Sequence, residues 1–198
     1  MIYIFVKIYQ NVLDDNISDN LYNQLSGPGF AWYNYKSVVD DSMKTSNRYF
    51  VPDVFRHCFI QDYKVQSNWI TLLEPLISKI NVLTESKKLE VINLHANWMF
   101  PNKSEKHQID YPHIDKDDFD HLSYTALYYL NSCGGNTILY QSIVDNNQAI
   151  DIESLKVLTE IVPEKNKLVM WESKRVHSAP AYISEPRMVL NMNLRITK

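Results

Sequence analysis

Glycine is scarce: the 198 residues contain 4. That excludes long flexible linkers of the glycine-rich kind. Cysteine is scarcer still, with Cys58 and Cys133 alone and no Cys-x-x-Cys pair. A disulfide framework is excluded, and a reducing cytoplasmic compartment becomes the default expectation. No basic stripe is present: 20 Lys and Arg stand against 23 Asp and Glu, for a net charge of −3. That argues against a dedicated nucleic-acid or anionic-membrane binder. The short basic runs "ESKK" (85–88) and "SKR" (173–175) read as solvated surface. No apolar run reaches the length of a membrane span. The opening "MIYIFVKIYQ" is apolar but broken by Lys7, and it lacks a basic leader region and a small-residue cleavage site. It reads as a first strand. "NIS" at 16–18 fits a glycosylation sequon but has no secretion signal to give it meaning.

What remains is ordinary globular material, 45% hydrophobic and 22% charged, with a high count of 13 tyrosines. Tyrosine suits half-buried strands and pocket walls that need one hydroxyl. Residues 18–25 predict a short helix with Ser18 as N-cap, stopped by "GPG" at 27–29. "FAWYNYKSVV" is strand-like. "SNWITLLEPLISKINVL" carries apolar residues at helical spacing, with Ser67 as cap and Pro75 as a kink. From residue 89 the character changes to short strand-like runs separated by turn signals, among them "LEVINLHANWMF", "LSYTALYYLN", "KLVMWE", "APAYI" and "RMVLNMNLRI". Many short strands with regular turns predict an antiparallel sandwich or barrel, so the chain is mainly β with supporting helices. No repeat occurs, and no boundary is sharper than the shift near residue 88. In the last run Met188, Leu190, Met192 and Leu194 alternate with Arg187, Val189, Asn191, Asn193 and Arg195. One face packs on a core, and the other is polar, as a ligand-holding cavity requires. Arg195 reads as a surface ion-pair former. The four tryptophans, 32, 69, 98 and 171, read as core.

Of six histidines, one sits in a His-x-Asp, His113-Ile114-Asp115. Two residues apart on an extended strand, these side chains point the same way, about 6–7 Å apart along the chain. They can converge on one cation. His177, in "WESKRVHSAPA", offers a third ligand. Two histidines and one carboxylate on one face form the facial triad of non-haem Fe(II) oxygenases. Arg187 opens the two-faced strand, and a buried arginine there wants a bidentate carboxylate.

In "HID" (113–115), "TALYYLN" (125–131), "GGNT" (134–137), "PEKNKLVMWESKRVHS" (163–178) and "RMVLNMNL" (187–194), the sequence resembles the Fe(II)/2-oxoglutarate-dependent oxygenases, in particular the prolyl-4-hydroxylase-like branch and its small stand-alone bacterial and viral members. The pieces occur in family order over roughly the last 90 residues. The resemblance implies one domain over 1–198. Residues 1–88 would be supporting strands and helices, and 89–198 a double-stranded β-helix, or jelly-roll, catalytic core. It implies iron bound by His113, Asp115 and His177. Arg187 would pair with the far carboxylate of 2-oxoglutarate, Tyr129 would join that arginine, and Asn191 and, more loosely, Asn97 would line the pocket. It further implies Fe(II), 2-oxoglutarate and O2, with ascorbate as reductant, and hydroxylation of a prolyl, another side chain or a small molecule with release of succinate and CO2. Two departures stand out: "ILYQ" after "GGNT", and Asn166 where a glycine is common.

Other readings share these residues. His113 and Asp115 alone suit a solvated acidic loop, and "KDDF" after them reads as a loop at the mouth. His107 and His121 read as substrate-side or exposed, His57 and His95 as structural or surface. A non-catalytic ligand-binding module would keep the cavity without needing a triad. A zinc hydrolase would use the same ligands, but no His-Glu-x-x-His is present.

Overall fold

Strand alternation decides the architecture. In a computed structural model, the protein is described over residues 6–35, 54–101, 111–115, 123–144, 150–179 and 185–197. The last strand, β11 (Arg187–Thr197), lies between β5 (Lys88–Met99) and β6 (Ser123–Tyr129), antiparallel to both. Around this trio the larger sheet runs β1-β9-β6-β11-β5-β3-β2, where β1 is Val6–Tyr9, β2 Tyr33–Tyr35, β3 Val54–Gln61 and β9 Lys167–Glu172. A two-residue strand, β4 (Lys64–Val65), pairs back onto β3. The smaller sheet runs β10-β7-β8, formed by Arg175–Ser178, Thr137–Ile143 and Val157–Ile161. Two antiparallel sheets facing each other make the jelly-roll core.

The two faces of the larger sheet have different partners. Met188, Leu190, Met192 and Leu194 join Tyr128, Ala126, Leu168 and Met170 in one apolar layer. That layer packs on Leu21 and Leu25 of α1 (Asp15–Ser26) and on Leu76 and Ile80 of α2 (Glu74–Thr84). On the other face Leu127, Tyr129, Val169, Trp171 and Val189 meet Leu139 and Ile161 of the smaller sheet. β6 is therefore buried on both sides, and all seven of its residues are buried. Toward β5 and β3 the second face turns polar and borders a cavity. No described helix is long and apolar enough to cross a membrane.

Several local expectations are corrected. Ser18 is not a cap: α1 begins at Asp15, and Ser18 is fully buried within it, its hydroxyl hydrogen-bonded to the Tyr128 hydroxyl at 3.1 Å. Pro75 does not kink a long helix. The chain makes a 3₁₀ turn over Asn68–Leu73, capped by Ser67 as expected, and α2 starts with Pro75 in its first turn. A proline lacks the N–H that a continuous helix would require there, but the first turn does not use it. Arg175 of "SKR" is fully buried rather than solvated; it donates to the Tyr140 carbonyl at 3.0 Å and pairs with Glu172 at 3.3 Å across the β9–β10 turn. Trp171 is buried, whereas Trp69 is 36% exposed. His57 is structural, bonded to the Ala31 carbonyl and the Ser67 hydroxyl. Arg195 pairs with Glu90 at 3.5 Å. The runs expected after Tyr35 and around "APAYI" fall largely outside the described residues, as do His107, His121 and "KDDF".

Asn166 explains its own departure. Its φ is +64°, a left-handed conformation that glycine or asparagine accepts. Its side chain then does what glycine cannot. Oδ1 accepts from the Leu13 N–H and from the Tyr128 hydroxyl, both at 2.9 Å, and Nδ2 donates to the Leu13 carbonyl at 2.7 Å. One buried amide thus ties the start of α1 to the centre of the larger sheet. Asn166→Gly keeps the backbone geometry and removes these bonds. It is expected to destabilise the protein by roughly 2–4 kcal/mol in urea denaturation; an unchanged midpoint would show that the amide is replaceable.

Candidate metal centre

The site begins with a backbone pairing. His113 and His177 are antiparallel partners that exchange both backbone hydrogen bonds, each at 2.9 Å. Directly opposed residues project their side chains to one side of a ladder, and the two imidazole rings lie 4.5 Å apart. A register shift between Arg175 and His177, against β7, aims His177 inward. Asp115, two residues beyond His113, joins the same side. One ligand-capable atom from each of His113, Asp115 and His177 lies within 4.8 Å of the others.

The second shell of contacts leaves the metal-facing atoms free. His113 Nδ1 bonds the Tyr111 carbonyl at 2.8 Å, and His177 Nδ1 bonds the Arg175 carbonyl at 3.1 Å. A carbonyl accepts, so each Nδ1 carries the proton and each Nε2 presents its lone pair. His177 Nε2 lies 3.7 Å from Asp115 Oδ2. Thr125 of β6 donates to Asp115 Oδ2 at 2.7 Å, and Asn191 of β11 also bonds this carboxylate. Burial raises the Asp115 pKa, but His177, His113 and these two donors outweigh it and hold the group ionised below its ordinary range. Burial depresses the His177 pKa, with Asp115 opposing and His113 assisting. Two imidazoles and one carboxylate are the donor set that a divalent iron takes, so the residues fit the metal.

Arg187 stands at the other end of a cavity of about 310 Å³. It is 4% exposed. Nη2 donates to the Thr137 hydroxyl at 2.9 Å, that hydroxyl bonds Tyr129 at 2.7 Å, and the guanidinium lies 5.6 Å from the Tyr129 ring centre. Its Nε is buried without a partner. Among the described residues no carboxylate pairs with this charge. A buried guanidinium with an orphaned donor fits an anion supplied from solution. Tyr129 stands beside Arg187, its hydroxyl on Thr137. Asn191 lines the cavity but also holds Asp115. Asn97 lines it too, with its Oδ1 accepting from Arg56 Nε at 2.8 Å.

Sequence reasoning passed over Thr125, Thr137, Arg56 and His95. Thr125 shares the face of Leu127 and Tyr129 on β6, so period-2 parity alone could have found it. Arg56 and His95 needed the pairing of β3, β5 and β11, which no local pattern encodes. His95 faces the cavity rather than serving the scaffold. Burial, helped by Arg56 and opposed by Asp115, pushes its pKa down from 6.5 to about 4. A histidine depressed in the fold contributes stability above its unfolded value that is lost as pH falls through the folded one. Metal-free protein is therefore expected to melt at lower temperature at pH 5 than at pH 7, with a shallower dependence in His95→Gln. Equal melting temperatures at the two pH values would refute this.

Comparison with known proteins places this geometry. The model of the 2OG-Fe(II) oxygenase superfamily matches residues 99–195. A search of curated proteins finds no match. Among solved structures, the chain is similar to the non-heme alpha ketoglutarate dependent epimerase SnoN from nogalamycin biosynthesis, at TM-score 0.65 and 14% identity, covering 98% of this chain and 79% of that one. It is similar to a prolyl hydroxylase from Trichoplax adhaerens in complex with a hypoxia inducible factor peptide, at TM-score 0.60 and 18% identity, covering 97% and 83%. It is also similar to the viral collagen prolyl hydroxylase of Paramecium Bursaria Chlorella virus-1 in its 2OG complex, at TM-score 0.55 and 15% identity, covering 98% and 97%. At such identities the likeness is one of fold. The family match spans His113, Asp115, Thr125, His177 and Arg187, and over residues 99–195 the chain is similar to the 2OG-Fe(II) oxygenase superfamily.

Proposed function

We propose that the protein is an Fe(II)- and 2-oxoglutarate-dependent dioxygenase that hydroxylates a substrate C–H bond, with His113, Asp115 and His177 as the iron ligands and Arg187 as the anchor of the co-substrate. The observation that supports it best is the pairing of the histidine–carboxylate cluster with a buried, anion-seeking arginine in one cavity. When bound, iron with 2-oxoglutarate and O2 supplies the oxidising power, and succinate and CO2 leave. The chain's own residues do the rest. His113 and His177 offer Nε2, with tautomers fixed by the Tyr111 and Arg175 carbonyls. Asp115 contributes negative charge, and Thr125 and Asn191 keep its oxygens turned to the site. Arg187, Thr137 and Tyr129 form one hydrogen-bonded cradle for the far carboxylate of the co-substrate. Leu127, Val189 and Trp171 exclude water from the same cavity.

Prolyl hydroxylases and an epimerase share this fold, so the prolyl-4-hydroxylase-like branch and the hydroxylation outcome belong to the proposal. Hydrolysis on zinc draws no support. Among the described cavity-lining residues Asp115 is the sole carboxylate, and as a ligand it leaves no general base. A binding module without turnover has no use for two free Nε2 atoms beside a carboxylate.

His113→Ala, Asp115→Ala or His177→Ala is expected to abolish Fe(II) binding by calorimetry and 2-oxoglutarate-dependent succinate formation. Arg187→Ala is expected to raise the 2-oxoglutarate requirement while metal binding persists. Succinate formation that stays normal at low 2-oxoglutarate in Arg187→Ala would remove that residue from its role. Thr125→Val leaves all three ligands in place but frees Asp115, and a loss of about 10-fold or more in metal affinity is expected. Metal binding at the wild-type level would show that Asn191 suffices.

A further inference from the structure

The cavity has a wall that neither the metal nor the co-substrate anchor uses. It is built from Arg56 of β3 and from Asn93, His95 and Asn97 of β5, all of which line the cavity. Pairing fixes its place. Arg56 lies opposite Asn97, which lies opposite Val189 of β11, and His95 lies opposite Asn191, which holds Asp115. Two strand spacings separate Arg56 from β11, about 10 Å. The wall therefore stands beside the metal centre, on the side away from β6, where Tyr129 and Thr125 stand.

Among the described residues Arg56 is held in position without being neutralised. Its Nε donates to Asn97 Oδ1 at 2.8 Å, and its guanidinium lies 5.4 Å from the Tyr35 ring centre. Both contacts orient a planar cation. Neither is an ion pair, and both leave the two Nη groups for another partner. Burial works against its charge. Among the described residues no carboxylate pairs with it; Asp115, which acts on it at longer range, belongs to the metal centre. Charge matching makes the same point. In the loaded site the positive charges of iron and Arg187 are met by Asp115 and the two carboxylates of 2-oxoglutarate. Arg56 is the cation left over among the described lining residues.

Resting on the oxygenase reading above, we propose that Arg56, steered by Asn97 and Tyr35, binds an anionic oxygen group of the substrate, a carboxylate or a phosphate. The substrate is then an acid whose charged end docks on β3 while another part of the molecule is presented to the metal. The polar amides of Asn93 and Asn97 suit an oxygen-rich molecule on that wall better than an apolar one.

The test uses protein loaded with Mn(II) in place of Fe(II) and saturated with 2-oxoglutarate, so that the Arg187 end is filled. Calorimetric titration compares N-acetylaspartate, glycerol 3-phosphate (which has no carboxylate) and the neutral amide N-acetylasparagine amide; the first two arms separate carboxylate from phosphate. At least one anion is expected to bind 10-fold or more tightly than the neutral amide. Arg56→Gln is expected to weaken it by at least 10-fold, and Arg56→Lys to recover part of the loss. A neutral amide that binds as well as the anions, anions that do not bind, or an affinity unchanged in Arg56→Gln would overturn the proposal. If Arg56 only props Asn97, Arg56→Gln and Arg56→Lys would behave alike. Titration of 2-oxoglutarate into the Mn(II)-loaded wild type is read first. Its failure to bind would count against the co-substrate assignment, whereas anion binding insensitive to Arg56 counts against this residue alone.

Discussion

Two backbone hydrogen bonds between His113 and His177 hold the site together. Everything chemical in the cavity follows from that exchange. Because the two residues are direct partners, their imidazoles share one side of the ladder, and because Asp115 is two residues further along, its carboxylate shares it too. The pairing joins a short segment to β10, so the sheet edge itself becomes the metal-facing surface. His113 lies outside the named strands, and this bridge is what fixes it against β10. Both Nδ1 atoms are bonded to local carbonyls, so the rings cannot rotate without breaking a buried hydrogen bond.

The larger sheet supplies the opposite wall by splitting its residues between two solvents. On one face it is an ordinary apolar layer under two helices. On the other, β11 carries Arg187, Val189, Asn191 and Asn193 toward the cavity. Burying that many polar groups is tolerable because most are paired, as in the chain from the Asp62 N–H to Asn93 and on to Asn193. Among the described residues, buried donors without a partner include Arg187 Nε, Asn193 Nδ2 and Trp171 Nε1 on cavity-lining residues, and Arg175 Nε away from the cavity.

The candidate ligands were legible in the sequence because each has a local signature. His113 and Asp115 share a parity, and Arg187 heads a strand with one apolar and one polar face. The α1 start was misplaced because Ser18 has the chemistry of a cap yet serves as a buried hydrogen-bond partner of Tyr128, a residue far along the chain. Arg175 was misread for a related reason. "SKR" is basic and turn-like, and only the packed hairpin reveals that its guanidinium caps the Tyr140 carbonyl. His95 and Arg56 could not be found locally, since their meaning comes from which strand lies beside which. Asn166 was noticed as an anomaly and proves to be a compensation: the same left-handed turn that glycine would make, with a rivet added.

The cavity's division of labour has a consequence for how such a protein diversifies. The groups proposed to hold metal and co-substrate come from residues 111–115 and from β6, β7, β10 and β11, all within the matched family region. The groups on the spare wall come from β3 and β5, mostly ahead of it. Recognition and chemistry are thus written on separate stretches of chain that meet across a sheet. On the proposed reading, exchanging β3 retargets the site while its metal and co-substrate groups stay intact, much as a tool keeps its motor when the bit is changed.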